Sequence, residues 1–165
     1  MKTSAGLLAY KKLPNNNLKI FLCKPGGPFN RNVEFGIWSI PKGEVEKDEF
    51  LLNAALREFK EETGLVILRK SAKSFVELGD VKLKSGKIVT IFAVEVKDEE
   101  IPDDVKIKSN TFEMEYPKGS GRFIKVPEMD EGRFFDLYEV GQRITEYQLE
   151  FASRLYDVVY NNMVY

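Results

Sequence analysis

Arg57, Glu58, Glu61 and Glu62 fall within two turns of one short helical segment, with Gly43 before it and Gly64 after it. Successive helical residues rotate by about 100°, so Glu58 and Glu62 lie roughly 40° apart and Glu61 about 60° to the other side of Glu58. Carboxylates sharing such an arc repel one another and weaken an isolated helix by a few tenths of a kcal/mol per pair. A cation placed between them reverses that sign. Oxygen donors of this kind suit hard divalent ions, Mg²⁺ first and Mn²⁺ as a substitute. The chemistry that calls for the cluster is the binding of divalent metal beside a phosphate chain. Arg57 lies four residues before Glu61, a spacing that lets its guanidinium hold that carboxylate in one orientation.

A solvated acidic helix face is the plainer reading of any glutamate-rich turn, and the flanking residues separate the two. Pro41 and Gly43 break the preceding element, Asp48 is a candidate N-cap for a helix running to about Glu62, and Thr63-Gly64 supplies a stop. Leu51, Ala54 and Ala55 give that helix an apolar stripe beside its carboxylates. Taken together, Gly43, Glu49, Arg57, Glu58, Phe59, Glu61, Glu62, Gly64 and Leu65 complete the pattern GX5EX7REUXEEXGU, where U is a bulky apolar residue. The stretch therefore resembles the Nudix box.

Members of that family cleave a phosphoanhydride in a nucleoside diphosphate linked to another group. The resemblance implies that Glu58, Glu61 and Glu62 supply metal carboxylates, that the Gly43 carbonyl is a further ligand, and that Arg57 orients them. It implies Mg²⁺ as cofactor, with Mn²⁺ a possible substitute. Glu49 is read as structural, a carboxylate in the first helical turn favouring the positive helix end. For the general base Glu58 comes first, a box glutamate serving this role in some members. In other members a glutamate from a distant loop acts, and here Glu113, Glu115 and Glu128 are the candidates.

Length and composition fit one domain, residues 1–165. The chain is large enough to bury a core, and its 43% hydrophobic and 31% charged residues are ordinary for a globular protein. A formal net charge of −1 argues against a general binder of nucleic acid or of membrane surfaces. The single cysteine, Cys23, can form no internal disulfide, which fits a reducing cytoplasm, and no spanning segment is evident. Histidine is absent, so proton transfer falls to a carboxylate or to metal-bound hydroxide.

Several short strands must carry the box. Thr3–Tyr10 and Leu18–Cys23 read as a hairpin around Pro14-Asn15-Asn16-Asn17, and Lys24–Phe35 reads as a surface loop. A brief strand is expected over Gly36–Ile40, and extended chain over Val66–Leu68, Phe75–Leu83, Ile88–Val96, Thr111–Tyr116 and Phe134–Leu137. Asp98–Asp104 and Pro117–Arg122 read as loops, Tyr138–Ile144 as a small helix, and Thr145 as the cap of a last helix to about Asn161. In that helix Gln148, Phe151, Leu155, Val158 and Val159 form a packing stripe. Strands before and after a central helix, plus a C-terminal helix, imply an α+β, α/β/α sandwich with a mixed sheet between helices, the architecture that the family resemblance also implies.

Trp38-Ser-Ile-Pro-Lys-Gly43 is similar to segments of Nudix enzymes that act on dinucleoside polyphosphates. Lys42 is a candidate phosphate contact and Trp38 a candidate base-stacking residue, while Phe29, Phe35 and Arg31 are candidates for lining a base pocket. Lys82 and Asp80 stand where subfamilies place a tyrosine and a proline, which leaves the substrate open. Dinucleoside polyphosphates are favoured, and oxidised nucleoside triphosphates come next. A nucleotide-binding regulator without turnover, and an enzyme acting on capped RNA, are rival readings.

Overall fold

In the computed structural model, which describes residues 2–67 and 74–165, two apolar layers lie on opposite faces of one sheet. The strands are β1 (Thr3–Leu13), β2 (Asn17–Pro25), β3 (Lys42–Glu44), β4 (Phe75–Lys82), β5 (Ile88–Glu95), β6 (Thr111–Glu115), β7 (Phe123–Pro127) and β8 (Met129–Asp136). The helices are α1 (Leu51–Thr63), α2 (Leu137–Arg143) and α3 (Leu149–Tyr160), with a 3₁₀ turn over Glu146–Gln148. The main sheet runs β4-β5-β1-β2-β8, with β3 also paired to β1. Only β1 and β5 are parallel within it, and β6-β7 forms a separate antiparallel ribbon.

Strand alternation explains the layering. Ala5, Leu7 and Ala9 of β1, with Phe92 and Val94 of β5, face Ala54, Ala55 and Phe59 of α1. Leu8 and Tyr10, with Ile91 and Ala93, face Phe151, Ala152 and Leu155 of α3. This is the expected sandwich with a mixed sheet. No described helix is long and apolar enough to cross a membrane.

One edge of β1 is shared by two partners, and that sharing places the box. Tyr10 to Leu13 pair with β2, whereas Ser4 to Gly6 pair with β3. The sheet therefore splits between β2 and β3, and the chain from Ser39 to Pro41 lies in the opening, the Pro41 carbonyl accepting from Leu7 N–H. Cys23 and Ser39 bridge the split.

The structure departs from expectation at several places. Gly36–Ile40 carries only isolated bridges at Trp38 and Ser39, and the regular strand begins at Lys42 instead. The hydrogen bonds of this segment go to scattered partners: Trp38 N–H to the Arg143 carbonyl and Leu7 N–H to the Pro41 carbonyl, both at 3.0 Å. Helix α1 starts at Leu51 behind Phe50, and Asp48 takes a left-handed conformation at φ 61° in the preceding turn rather than capping it. Val66 and Ile67 belong to no strand, and Leu68 lies outside the described residues. Strand β7 was not anticipated, and β8 begins five residues before Phe134. Thr145 makes no side-chain cap; the last helix is preceded by the 3₁₀ turn, and Gln148 is buried as a polar tie. Its amide oxygen accepts from Ile40 N–H at 2.7 Å, and its Nε2 donates to Ser39 Oγ at 3.0 Å.

Gly64 ends α1 at φ 73°, its N–H donating to the Lys60 carbonyl at 2.7 Å. The chain 97–110 returns across the same end, and Lys108 and Asn110 donate their backbone N–H groups to the carbonyls of Thr63 and Glu61. A Cβ on Gly64 would lie 2.7 Å from the Lys108 carbonyl oxygen. Left-handed geometry alone costs a non-glycine residue about 1–2 kcal/mol, and the backbone clash adds to it. Gly64→Ala is therefore expected to lower unfolding stability by at least that amount, measured by urea denaturation.

Candidate active site

The guanidinium of Arg57 is the hub of the box. Its Nε and Nη2 donate to the two oxygens of Glu49 at 2.8 and 2.9 Å, a bidentate pair. Nη2 also donates to the Glu44 carbonyl at 2.9 Å, and Nη1 donates to Glu58 Oε1 at 2.7 Å. Glu61 is a distant partner at 3.4 Å. The pairing with Glu61 that the spacing allows is thus present, and the shorter bonds of Arg57 go to Glu49 and Glu58. The helix-end role expected for Glu49 is corrected, because Glu49 precedes the helix and α1 has no acidic residue in its first turn. Glu49 also accepts from Glu46 N–H at 2.9 Å, which folds residues 46–49 into a turn and delays the helix. These bonds hold the Glu49 carboxyl below the usual range, Arg57 being the main cause.

Glu58 and Glu62 carry carboxyl groups into the protein. Only 6% of Glu62 is exposed, and burial pushes its pKa up to about 8. The Lys42 backbone N–H, 3.2 Å from Glu62 Oε2, and the Lys42 charge oppose that rise, while the charges of Glu58 and Glu128 add to it. Glu58 is also raised, first by burial, with Arg57 pulling down and Glu61 and Glu128 pushing up. Glu61 has the most exposed side chain of the three, at 38% against 12% for Glu58.

Gly43 is packed against this cluster so closely that a Cβ there would sit 2.1–2.3 Å from the carboxylate atoms of Glu58. Strand β3 thus brings the backbone of residue 43 against the face that carries Glu58. Among the described residues no three acidic side chains converge on a single point, since Glu58 leans on Arg57 and Glu62 on the Lys42 amide. The donor set is nonetheless all oxygen, crowded and short of counter-charge, which fits a hard divalent cation. Glu58, Glu61, Glu62 and the Gly43 carbonyl are the groups able to hold it.

Of the three loop carboxylates, Glu128 is the one whose backbone is tied to the helix: its N–H donates to the Asn110 carbonyl and Asn110 N–H donates to the Glu61 carbonyl, each at 2.8 Å, and its charge adds to the rise of Glu58 and Glu62. It lies between β7 and β8, its backbone tied to Asn110 and Gly26. Glu113 is exposed and paired across the ribbon with Lys125, and Glu115 accepts from the Gly119 amide in the ribbon's own turn. Sequence reasoning could not rank these three, because a long-range pairing sets which of them returns to the helix.

Trp38, expected as a stacking residue, is 0% exposed and packs edge-on to Phe135 at 4.8 Å. It is a core residue with no face open to a base. Lys42 is half-buried beside the cluster. Arg143 lies over the ring of Phe35 at 5.0 Å, and the Arg31 carbonyl accepts from Lys24 Nζ at 3.3 Å. Phe29 stands 66% exposed and meets Tyr116 of the ribbon.

The NUDIX domain family model matches residues 13–137. Among solved structures, a Caenorhabditis elegans Ap4A hydrolase binary complex is similar at 19% identity and a TM-score of 0.60, covering 98% of both chains. A mutT/nudix family protein from Listeria innocua follows at 18% identity and 0.57, covering 98% of this chain and 95% of that one. The NUDIX domain of Shewanella oneidensis NrtR, complexed with ADP ribose, reaches 15% identity and 0.54, covering 93% and 86%. At these identities the likeness is one of fold. No curated protein matches the chain.

Two outcomes follow from the site. Glu62 titrates higher folded than the usual carboxylate value of 4.5, so the folded state binds the extra proton between about pH 4.5 and 8. Its contribution is full below pH 4.5 and is lost as pH rises through 8. In chelator-treated protein, urea stability should fall across that window, and Glu62→Gln should flatten the fall. Gly43→Ala should displace the Glu58 carboxylate and weaken divalent-metal binding at least about tenfold, as read by calorimetry.

Proposed function

The chain belongs to the Nudix family of hydrolases acting on phosphoanhydride bonds, and from that premise we propose a Mg²⁺-dependent pyrophosphohydrolase of nucleoside diphosphates linked to another group, dinucleoside polyphosphates in particular. The observation that carries the reading is the crowding of Glu58 against Gly43 with Glu62 buried alongside on the Lys42 amide, burial and neighbouring carboxylates raising both carboxyls. Such a cluster gains from a divalent ion what it loses by repulsion. When bound, the metal supplies charge neutralisation at the phosphate oxygens and acidifies coordinated water.

The chain's own residues do the rest. Glu61, Glu62 and the Gly43 carbonyl would hold the cation, and Arg57 keeps Glu58 in place through its 2.7 Å bond. Glu58 accepts the proton of the attacking water, its basicity enhanced by partial burial. Lys42, beside Glu62, places a positive charge where it meets phosphate oxygens. Dinucleoside polyphosphates are favoured by the Trp38–Gly43 segment and by the fold likeness to an Ap4A hydrolase.

Glu128 supports a second reading of the base, since its backbone is linked through Asn110 to the Glu61 carbonyl and its charge acts on Glu58 and Glu62. Glu58→Gln and Glu128→Gln separate the two, because the base is the one whose loss removes the alkaline-side rate increase. For the reaction itself, Glu61→Gln and Glu62→Gln should each lower hydrolysis at least about a hundredfold with the fold retained. The assay is product release from diadenosine tetraphosphate, modified nucleoside triphosphates, nucleotide sugars and ADP-ribose, each with Mg²⁺ and Mn²⁺. Full activity in both variants sinks the assignment.

A further inference from the structure

The ribbon β6-β7 leaves large apolar side chains in solvent. Phe112, Met114 and Tyr116 share one face of β6, with Val126 and Ile124 opposite the first two. Phe112, Tyr116 and Ile124 are all exposed. The loop after β2 folds against this face: a Cβ on Gly27 would lie 3.2 Å from Val126 Cγ1 and 3.9 Å from Met114 Sδ. It delivers Phe29 to Tyr116, where the rings meet edge to face at 5.8 Å and 82°. Both rings stay largely uncovered, Phe29 at 66% and Tyr116 at 40%. An edge-to-face pair with open faces offers a π-surface on which a planar ring can stack.

Position and charge define what fits there. Glu128, whose charge acts on Glu58 and Glu62, lies at the foot of the ribbon, and its carbonyl accepts from Gly26 N–H at the foot of the loop. Both arms of the platform therefore spring from the edge of the active site. Tyr116 pairs with Arg122 at the far end, through an N–H to carbonyl bond of 2.9 Å. Arg122 lies six positions before Glu128, so at about 3.3 Å per residue the platform lies up to about 20 Å beyond it. That span exceeds a mononucleoside held by its own anhydride at the carboxylates. Lys118 and Arg122 are exposed in the ribbon's turn, where the Glu115 carboxylate is taken up by the Gly119 amide, so the tip offers two cations to an anionic ligand carrying a flat ring.

We propose that Phe29 and Tyr116 seat the distal base of a dinucleoside polyphosphate whose anhydride lies at the box. The proposal rests on the substrate reading above and names the residues that would select substrate length. Apolar packing alone and ring stacking make different demands on side-chain type. Stacking needs an aromatic ring; pinning the loop to the ribbon needs only apolar volume.

Steady-state kinetics of the full chain with diadenosine tetraphosphate tests it. Tyr116→Leu and Phe29→Leu should raise KM roughly 5- to 100-fold, with kcat within about twofold. Tyr116→Phe should stay within about twofold of the parent, and KM for ATP should be unaffected in all three. Melting temperatures control for loss of fold. An unchanged KM for the dinucleoside in both folded leucine variants overturns the proposal, as does an equal rise for ATP, which would place the proximal base there. If the parent chain does not turn over the dinucleoside, the substrate reading falls by itself. The seat is then tested by equilibrium binding of diadenosine tetraphosphate: weaker binding in the leucine variants upholds it, and unchanged or undetectable parental binding overturns it.

Discussion

One guanidinium holds the catalytic end of this fold together. Arg57 places Nε and both Nη groups on Glu49, Glu58 and the Glu44 carbonyl. Those bonds join the end of β3, the turn before the helix and the helix itself. They explain why α1 starts late, why Glu49 is not a helix-end charge, and why Glu58 presses on Gly43. An arginine suits this position because its planar fork satisfies a carboxylate bidentately and still has a donor to spare. Lysine, as a point charge, would satisfy one of these partners at a time.

The surrounding segments are fixed by the same kind of contact at the sheet's ends. Lys11, nearly buried, lies between Asp98 and Asp103 at 2.7 and 2.8 Å, and Asp103 also pairs with Lys19. This clamp holds the chain 97–110, whose backbone then closes the carboxyl end of α1. Lys24, equally buried, pairs with Glu34 at 2.9 Å, and Arg143 approaches the same carboxylate at 3.0 Å. That pair anchors the loop leading to Phe35 and the split in the sheet. Exposed ion pairs contribute little to stability; Lys11 and Lys24 are buried, so losing their acids would strand a desolvated cation. Position, more than net energy, is what they supply.

Much of the site was legible in the sequence because its signal is local. Helical spacing sets the faces of Glu58, Glu61 and Glu62, and Gly64 carries its left-handed turn wherever the chain goes. Strand alternation in β1 and β5 likewise separates the two cores before any partner is known. What was misread depends on contacts between distant segments. The Arg57–Glu49 pair crosses a helix boundary, where no periodicity applies. Trp38 is buried because Ile144 and Phe135 close over a segment with almost no regular pairing. Strand β7 escaped notice because most of it is exposed, which removes the alternation that marks a half-buried strand.

The box concentrates a cost that the rest of the molecule must offset. Buried carboxylates close to one another are favourable only when something positive, a proton or a cation, sits among them. With the Glu62 carboxyl at about 8, a proton fills that role at neutral pH. A divalent ion held at Glu62, as proposed, would displace that proton, which ties its affinity to pH. Both alternatives rely on Ala54, Ala55 and Phe59 holding α1 flat on the sheet, since a helix free to tilt would relieve the repulsion by moving its carboxylates apart. The apolar face of α1 is thus what turns an unfavourable cluster of charge into a site with an appetite for metal.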